Sequence, residues 1–76
     1  MEIETFFIGV HPDGTKFRIR RIDAMWYYAI QIKDEYDGWV WNTIYRSPSK
    51  LAVVSKVIED KTKREERDVM QWAELL

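Results

Sequence analysis

Apolar and polar side chains alternate through much of the first half of the chain, a pattern typical of strands with one buried and one solvated face. Lys16–Ile22 alternates basic with apolar residues, and the aromatic and β-branched segment Met25–Lys33 follows Asp23-Ala24. A two-residue hairpin loop at Asp23-Ala24 pairs Ile22 with Met25 and gives each segment a consistent face. The predicted core face holds Phe17, Ile19, Trp26, Tyr28, Ile30 and Ile32, and the opposite face holds Lys16, Arg18, Arg20, Tyr27, Ala29, Gln31 and Lys33.

Two further strands are predicted, one on either side of this hairpin. Residues 4–10 form a strand that ends at the turn His11–Thr15, where proline sets φ and glycine supplies a positive φ. The strand Trp39–Arg46 follows the Asp37-Gly38 turn signal.

The last strand has two possible face assignments. A loop of two or four residues puts Trp39, Trp41, Thr43 and Tyr45 on the core face, whereas a loop of three residues puts Val40, Asn42 and Ile44 there. We favour the aromatic set inside, because burying Asn42 while exposing two tryptophans would cost more free energy.

The chain changes character at Ser47, beyond which it has no glycine and no proline after Pro48. These two residues predict a helix start, with Ser47 as the N-cap and Pro48 at the first helical position. An apolar stripe that can pack on the sheet follows, formed by Leu51, Val54 and Ile58 and flanked by Val53 and Val57. Nine polar residues, Asp60–Asp68, separate this stripe from an apolar C-terminal block.

The sequence leaves open whether residues 47–76 form one helix or two. Pairs of opposite charge at i,i+4, namely Glu59–Lys63, Asp60–Arg64 and Arg64–Asp68, support one helix. The capping-box form of residues 62–65 would instead break it near Thr62. A continuous helix of about 43 Å would extend past strands of about 25 Å. The apolar C-terminal block would then need a second chain or another protein to cover it, whereas a break would let the block fold back over the core of the same chain.

These elements predict an α+β fold in a single domain, residues 1–76. A four-stranded antiparallel β-meander occupies residues 1–46, and a C-terminal helical segment, residues 47–76, packs on one of its faces.

Composition removes most chemistry from consideration. The 76 residues include no cysteine and one histidine, so disulfides, thiolate or histidine zinc sites and a Ser-His-Asp triad are excluded. We therefore predict a protein that is not an enzyme and has no cofactor or metal, with His11 as a turn residue and Asp34, Glu35 and Asp37 as a polar hairpin tip. No apolar run approaches the ~20 residues of a membrane span, so a soluble, cytoplasmic protein without a membrane partner is expected.

Two surfaces are candidates for binding. The apolar C-terminal block contains Val69, Met70, Trp72 and Leu76, residue types that form interface hot spots when a helix leaves them exposed. The leading hypothesis is a protein-interaction module that binds a partner protein or forms a homodimer through this helix. The alternative is a nucleic-acid-binding domain, with Phe7 and His11 close to a basic sheet face that holds Lys16, Arg18, Arg20, Tyr27 and Lys33. The net charge of -1 favours the protein partner.

Trp26–Ile32, followed by Asp37-Gly38-Trp39, a strand and a helix, resembles the arm-type DNA-binding domain of tyrosine integrases and the related AP2 domain. The resemblance implies DNA binding by a sheet that enters the major groove. This chain departs from those domains in its balanced charge, in the strand that precedes the match and in lacking a Thr-x-x-Glu-Ala helix start. A short, aromatic-rich chain without cysteine is also similar to small proteins of phages and mobile elements that bind a host component. That similarity implies an accessory protein acting in the host cytoplasm.

Overall fold

The protein is a four-stranded antiparallel sheet followed by one long helix. The computed structural model describes residues 1–75, except for the side chains of Asp68, Trp72 and Leu75. The strands lie side by side in chain order, which confirms the predicted α+β meander. The elements are β1 Ile3–Val10, β2 Lys16–Ile22, β3 Met25–Asp34, β4 Gly38–Ser47 and α1 Lys50–Leu75.

The central hairpin has the predicted register. Ile22 pairs with Met25 and Phe17 pairs with Ile30, on either side of a tight turn in which Asp23 adopts a φ of 56°. The two assigned faces are therefore confirmed. The core consists of Phe17, Ile19, Tyr28, Val53 and Val57, with Trp26, Ile30, Tyr45 and Val54 packed against it.

Strand β1 pairs antiparallel with β2 and carries a bulge at Phe6. Phe7 pairs with Ile19 and Gly9 pairs with Phe17, on the side that faces α1. A Cβ atom on Gly9 would lie 2.7 Å from ring atoms of both Phe7 and Phe17. Glycine is needed here because two aromatic rings occupy the space of a side chain.

The loop between β3 and β4 has three residues, 35–37. The carboxylate of Asp34 accepts hydrogen bonds from the backbone N–H groups of Tyr36, at 2.7 Å, and Asp37, at 3.2 Å. This acidic segment therefore closes a turn with its own carboxylate.

The helix begins later than the sequence indicated. Ser47 is still part of β4, where it pairs with Trp26, so it cannot serve as the N-cap. Ser49 takes that position, and its hydroxyl accepts a hydrogen bond from the N–H of Ala52 at 3.3 Å. The helix turns Val53 and Val57 towards the sheet, while Leu51 and Ile58 of the predicted stripe are exposed.

Of the two arrangements left open for the C-terminal segment, the structure shows the single helix, which spans 26 residues. Thr62 lies inside it and donates its hydroxyl to the carbonyl of Ile58 at 3.0 Å. The predicted pairs Glu59–Lys63 and Asp60–Arg64 form, at 3.0 and 3.3 Å, while Arg64–Asp68 involves a side chain outside the described ones.

The helix runs past the sheet. Arg64 contacts Asp13 in the β1–β2 turn. Beyond Arg64, every residue whose burial is described is exposed.

Candidate functional site

The side of the sheet that α1 does not cover, termed the outer face, is basic. Strand register places five basic side chains there: Lys16, Arg18, Arg20, Lys33 and Arg46. Tyr27, Ala29, Gln31, Trp39, Trp41 and Thr43 share it, together with Ile8 and Val10 of β1. Among the residues that the structure describes, none on this face is acidic.

Charge is therefore segregated in this small molecule. Five of the 12 basic residues lie on the outer face. No acidic residue of the strands that the structure describes lies there, and Asp13 of the β1–β2 turn borders it. The net charge of -1 is the sum of two unlike surfaces. A polyanion approaching the outer face meets a locally positive potential.

Two tryptophans lie on the outer face, which corrects the assignment favoured for β4. The three-residue loop and a bulge at Ile44 put Trp39, Trp41 and Thr43 outside, although Tyr45 beyond the bulge still faces the core. The energetic argument failed because α1 covers only part of the sheet. Asn42 is on the helix-facing side but is exposed. Its amide therefore stays in water, and the expected cost of burying it does not arise.

The strongest electrostatic feature of this face is a pair of neighbouring arginines. The guanidinium carbon of Arg18 lies 4.4 Å from the ring centroid of Trp41, a cation–π contact. Burial, together with the charge of Arg20, lowers the pKa of Arg18. The Nε atoms of Arg18 and Arg20 are buried and have no hydrogen-bond partner among the described residues.

These arginines line a cleft of about 190 Å³, whose remaining walls are Ile22, Tyr27, Ala29 and Thr43. A hollow of about 460 Å³ lies towards the β1–β2 turn, lined by Lys16, Gln31 and Trp39 and by Asp13, Gly14 and Thr15 of that turn. A third hollow, of about 560 Å³, lies between Tyr27 and Arg46. The three depressions follow one another along β3 and β4, so the outer face offers a track for an extended ligand.

A buried polar network lies on the opposite side of the sheet. The hydroxyl of Tyr28, whose side chain is fully buried, is 2.5 Å from Asp60 Oδ2 and 2.7 Å from His11 Nε2. Arg64 extends the network by contacting Asp60 and Asp13. Because a hydroxyl has one proton, its donation to Asp60 requires that His11 Nε2 carry a hydrogen, and His11 Nδ1 is left as a buried acceptor without a partner.

The network connects β1, β3 and α1, and sequence reasoning missed it. The backbone of His11 does form the turn, accepting a hydrogen bond from Gly14. Its side chain is only 3% exposed, and Phe7 packs against Phe17, so neither residue joins the outer face as expected. The available signal was an apolar strand ending in a single histidine, combined with Asp60 and Arg64 one helical turn apart.

The network predicts that acid destabilises the fold. Burial and the charge of Arg64 hold the pKa of His11 below its ordinary value of 6.5. A histidine with a lowered folded-state pKa contributes stability that is present above pH 6.5 and is lost as the pH falls through the folded-state pKa. Urea unfolding is therefore expected to show a lower free energy of unfolding at pH 5.5 than at pH 7.5.

A His11→Gln variant has no charge to gain in this range and serves as the control. Its free energy of unfolding is expected to be lower at pH 7.5 and to change little down to pH 5.5. An equal decline in both proteins would assign the effect to other groups. A second decline is expected in strong acid, because hydrogen bonds from Thr15 and Arg64 outweigh burial and lower the pKa of Asp13 to about 2.

The predicted partner-binding block lies on the part of the helix beyond the sheet. Val69 and Met70 are exposed and line a shallow hollow with Thr62, Glu65 and Glu66. The side chain of Trp72 and all of Leu76 lie outside the described residues. Of the outer-face set, Lys16, Arg18, Arg20, Tyr27 and Lys33 are brought together as expected from the sequence.

Comparison with protein-family models, curated proteins and solved structures finds no match. The resemblance to integrase arm and AP2 domains therefore gives no family assignment. In the described part of the chain, no helix has both the length and the apolar character needed to cross a membrane.

Proposed function

We propose that the protein binds single-stranded nucleic acid on its outer face. The observation that carries the proposal is the segregation of charge: five basic side chains and no described acidic one share a surface with two tryptophans. A basic surface attracts the phosphate backbone, and exposed aromatic rings stack on unpaired bases.

The arginine cleft is the proposed phosphate site. The guanidinium groups of Arg18 and Arg20 line it, beside the hydroxyl-bearing residues Tyr27 and Thr43. A phosphate oxygen accepts the N–H donors of guanidinium groups in charge-assisted hydrogen bonds. Two adjacent positive charges without an acidic residue in the cleft lining suit it to an oxyanion.

The tryptophans are the proposed base platforms. Trp39 is 63% exposed, and Trp41 lies against Arg18, so planar groups line the track beside the phosphate site. Stacking of a base on an aromatic ring contributes about 1–3 kcal/mol and is available to every base. We therefore expect modest sequence preference.

The dimensions of the sheet favour a single strand over a duplex. Four strands about 4.8 Å apart span about 14 Å, which exceeds the ~12 Å major groove that admits a helix or a two-stranded ribbon. In a duplex, moreover, the bases are stacked on each other and unavailable to Trp39. From Trp39 to Arg46 the track measures about 23 Å, enough for roughly four nucleotides, the lower end of known site sizes.

The tryptophans also provide the test. Titration with a short single-stranded oligonucleotide is expected to quench the intrinsic fluorescence. Trp39→Ala is expected to weaken binding about tenfold, the loss of one stacked base. Tyr36→Ala is the matched control, because Tyr36 is an exposed aromatic at the adjacent hairpin tip and off the outer face. Equal affinities for the two variants would remove Trp39 from the site.

A second candidate function is protein binding through the end of the helix. It is supported by the exposure of Val69 and Met70 on a helix segment that extends past the sheet. A partner protein or a second copy of the helix would cover them, and such a function is compatible with a free outer face.

Substituting both residues tests this candidate. Val69→Glu combined with Met70→Glu is expected to abolish capture of a partner from a lysate, because two carboxylates would be desolvated at the contact. Leu51→Glu is the control, an exposed apolar residue of the same helix that lies over the sheet. If the wild-type protein, the double variant and Leu51→Glu captured a partner equally well, that partner would bind elsewhere than the end of the helix.

A further inference from the structure

The edge strand β1 exposes an unusual amount of apolar surface. Phe7 is 51% and Ile8 61% exposed, and Ile3, Phe6 and Val10 are exposed as well. The helix packs against β3 and β4 and leaves this strand uncovered apart from Lys50, whose ammonium lies over the ring of Phe6. Apolar side chains therefore project from both sides of one strand.

The outward edge of β1 is also a free hydrogen-bonding edge. It is the first strand in the sheet order, so only one of its two edges pairs, with β2. Protected edges carry lysine, proline, inward-pointing charge or a β-bulge. In β1 the one charged residue, Glu4, and the bulge at Phe6 both lie in its first half, and residues 7–10 contain neither charge nor proline.

The small core makes this exposure costly. Six apolar residues are buried among the described residues, in a chain of 76. Domains of this size are marginally stable without further burial of apolar surface. Covering β1 would add two phenylalanines to the buried surface.

We propose that β1 pairs antiparallel with β1 of a second copy of this chain, around a twofold axis near Ile8. The axis places Phe7 of each copy opposite Gly9 of the other, on the helix-facing side of the joined sheet. Each Gly9 is already covered by the rings of Phe7 and Phe17 of its own copy. The Phe7 rings of the two copies therefore meet beside a groove of about 270 Å³, which Phe7, Val57 and Ile58 line in part.

A second copy fits this edge better than an unrelated strand would. The twofold arrangement is self-complementary and closed, so it ends at a dimer. Glu4 lies outside the segment that pairs around Ile8, so the two carboxylates do not oppose each other. Phe6, Phe7, Ile8 and Val10 expose on the order of 400 Å² per copy, so the two copies can bury at most about 800 Å² of side-chain surface, to which the paired backbones add, against the ~1,000 Å² of a specific interface.

The dimer does not depend on the proposed function. If both hold, the dimer enlarges the surface that binds nucleic acid. Antiparallel pairing keeps the same face of both sheets on the same side. The two outer faces become one eight-stranded surface with ten basic residues, twice the five of each copy.

Sedimentation velocity of the full chain, without nucleic acid, tests the dimer. The wild-type protein is expected to have twice the 9.2 kDa mass of the chain. Ile8→Lys places a charge at the centre of the interface and is expected to give the monomer mass, with an unchanged circular dichroism spectrum. Ile44→Lys is the matched control, because Ile44 is an exposed isoleucine on the opposite edge strand, and it is expected to remain dimeric.

Three results would overturn the proposal. They are a wild-type monomer at 100 µM, a dimer that persists in Ile8→Lys, and a dimer lost in Val69→Glu with Met70→Glu as well as in the control Ile44→Lys. The last result would place self-association at the end of the helix and at β4. Hydrogen exchange distinguishes the two sites independently, since amides of residues 6–10 are expected to gain protection as the protein concentration rises.

Discussion

Replacing Arg18 and Arg20 together with alanine is expected to weaken binding of a single-stranded oligonucleotide by about 100-fold at low salt. Each arginine is expected to contribute a charge-assisted hydrogen bond to phosphate of about 1.4 kcal/mol, a factor of ten in affinity. Their Nε atoms have no hydrogen-bond partner among the described residues, so the substitutions break no hydrogen bond of these atoms, and the contact that they remove is that of Arg18 with Trp41. Fluorescence anisotropy of a labelled oligonucleotide measures the change.

The control for this prediction removes the same charge from the other side of the molecule. Lys61 and Lys63 are exposed on α1 and pair with Glu65 and Glu59. Replacing both with alanine lowers the net charge by two, as the arginine substitutions do, but leaves the outer face intact. We expect a change of less than about threefold, consistent with weak surface pairs and screened charge. Equal losses in the two double variants would show that only net charge matters.

Tyr28→Phe is expected to lower the free energy of unfolding by about 2 kcal/mol. The hydroxyl of Tyr28 is the group through which His11 and Asp60 are joined. Its removal leaves a buried imidazole N–H and a partly buried carboxylate each short of one hydrogen bond. Burial and the bond to Asp60 also raise the pKa of Tyr28, so its hydroxyl is protonated at neutral pH. Urea unfolding at neutral pH measures the loss.

Tyr27→Phe is the matched control, the same substitution one residue earlier on the other face. Tyr27 lies on the outer face beside Arg20 and has no hydrogen bond in the buried network. We expect a change within about 0.5 kcal/mol, as for most surface substitutions. If Tyr28→Phe changed the free energy of unfolding equally little, the buried network would contribute little to the attachment of α1 to the sheet.

The hairpin of β2 and β3 could be predicted residue by residue because the apolar–polar alternation of β2 and that of β3 had to place their apolar residues on the same face. A two-residue turn leaves one register, and that register pairs Arg18 with Ala29 and Arg20 with Tyr27 on the outer face. The basic part of the candidate site followed directly, since Lys16, Arg18, Arg20, Tyr27 and Lys33 all belong to this hairpin. Local pattern was sufficient where no residue was inserted.

The tryptophans could not be placed in this way because their face depends on the length of the β3–β4 loop, which the sequence left open. The three-residue loop puts Trp39 and Trp41 outside, and the extra residue at Ile44 returns Tyr45 to the core. The buried network escaped prediction for a different reason. His11, Tyr28 and Asp60 are far apart in the chain, and only the crossing of α1 over the sheet brings them together. Tertiary placement of the helix decides both which polar groups are buried and which strand faces stay open.

The salt dependence of binding tests the central claim most directly. The claim is that the outer face contacts phosphates through its five basic side chains. The affinity of the wild-type protein for a single-stranded oligonucleotide should be measured at several salt concentrations. The logarithm of the association constant is predicted to fall with the logarithm of salt concentration, with a slope between about -1.4 and -3.5, for two to five phosphate contacts. No binding at low salt, or a slope near zero, would contradict the account.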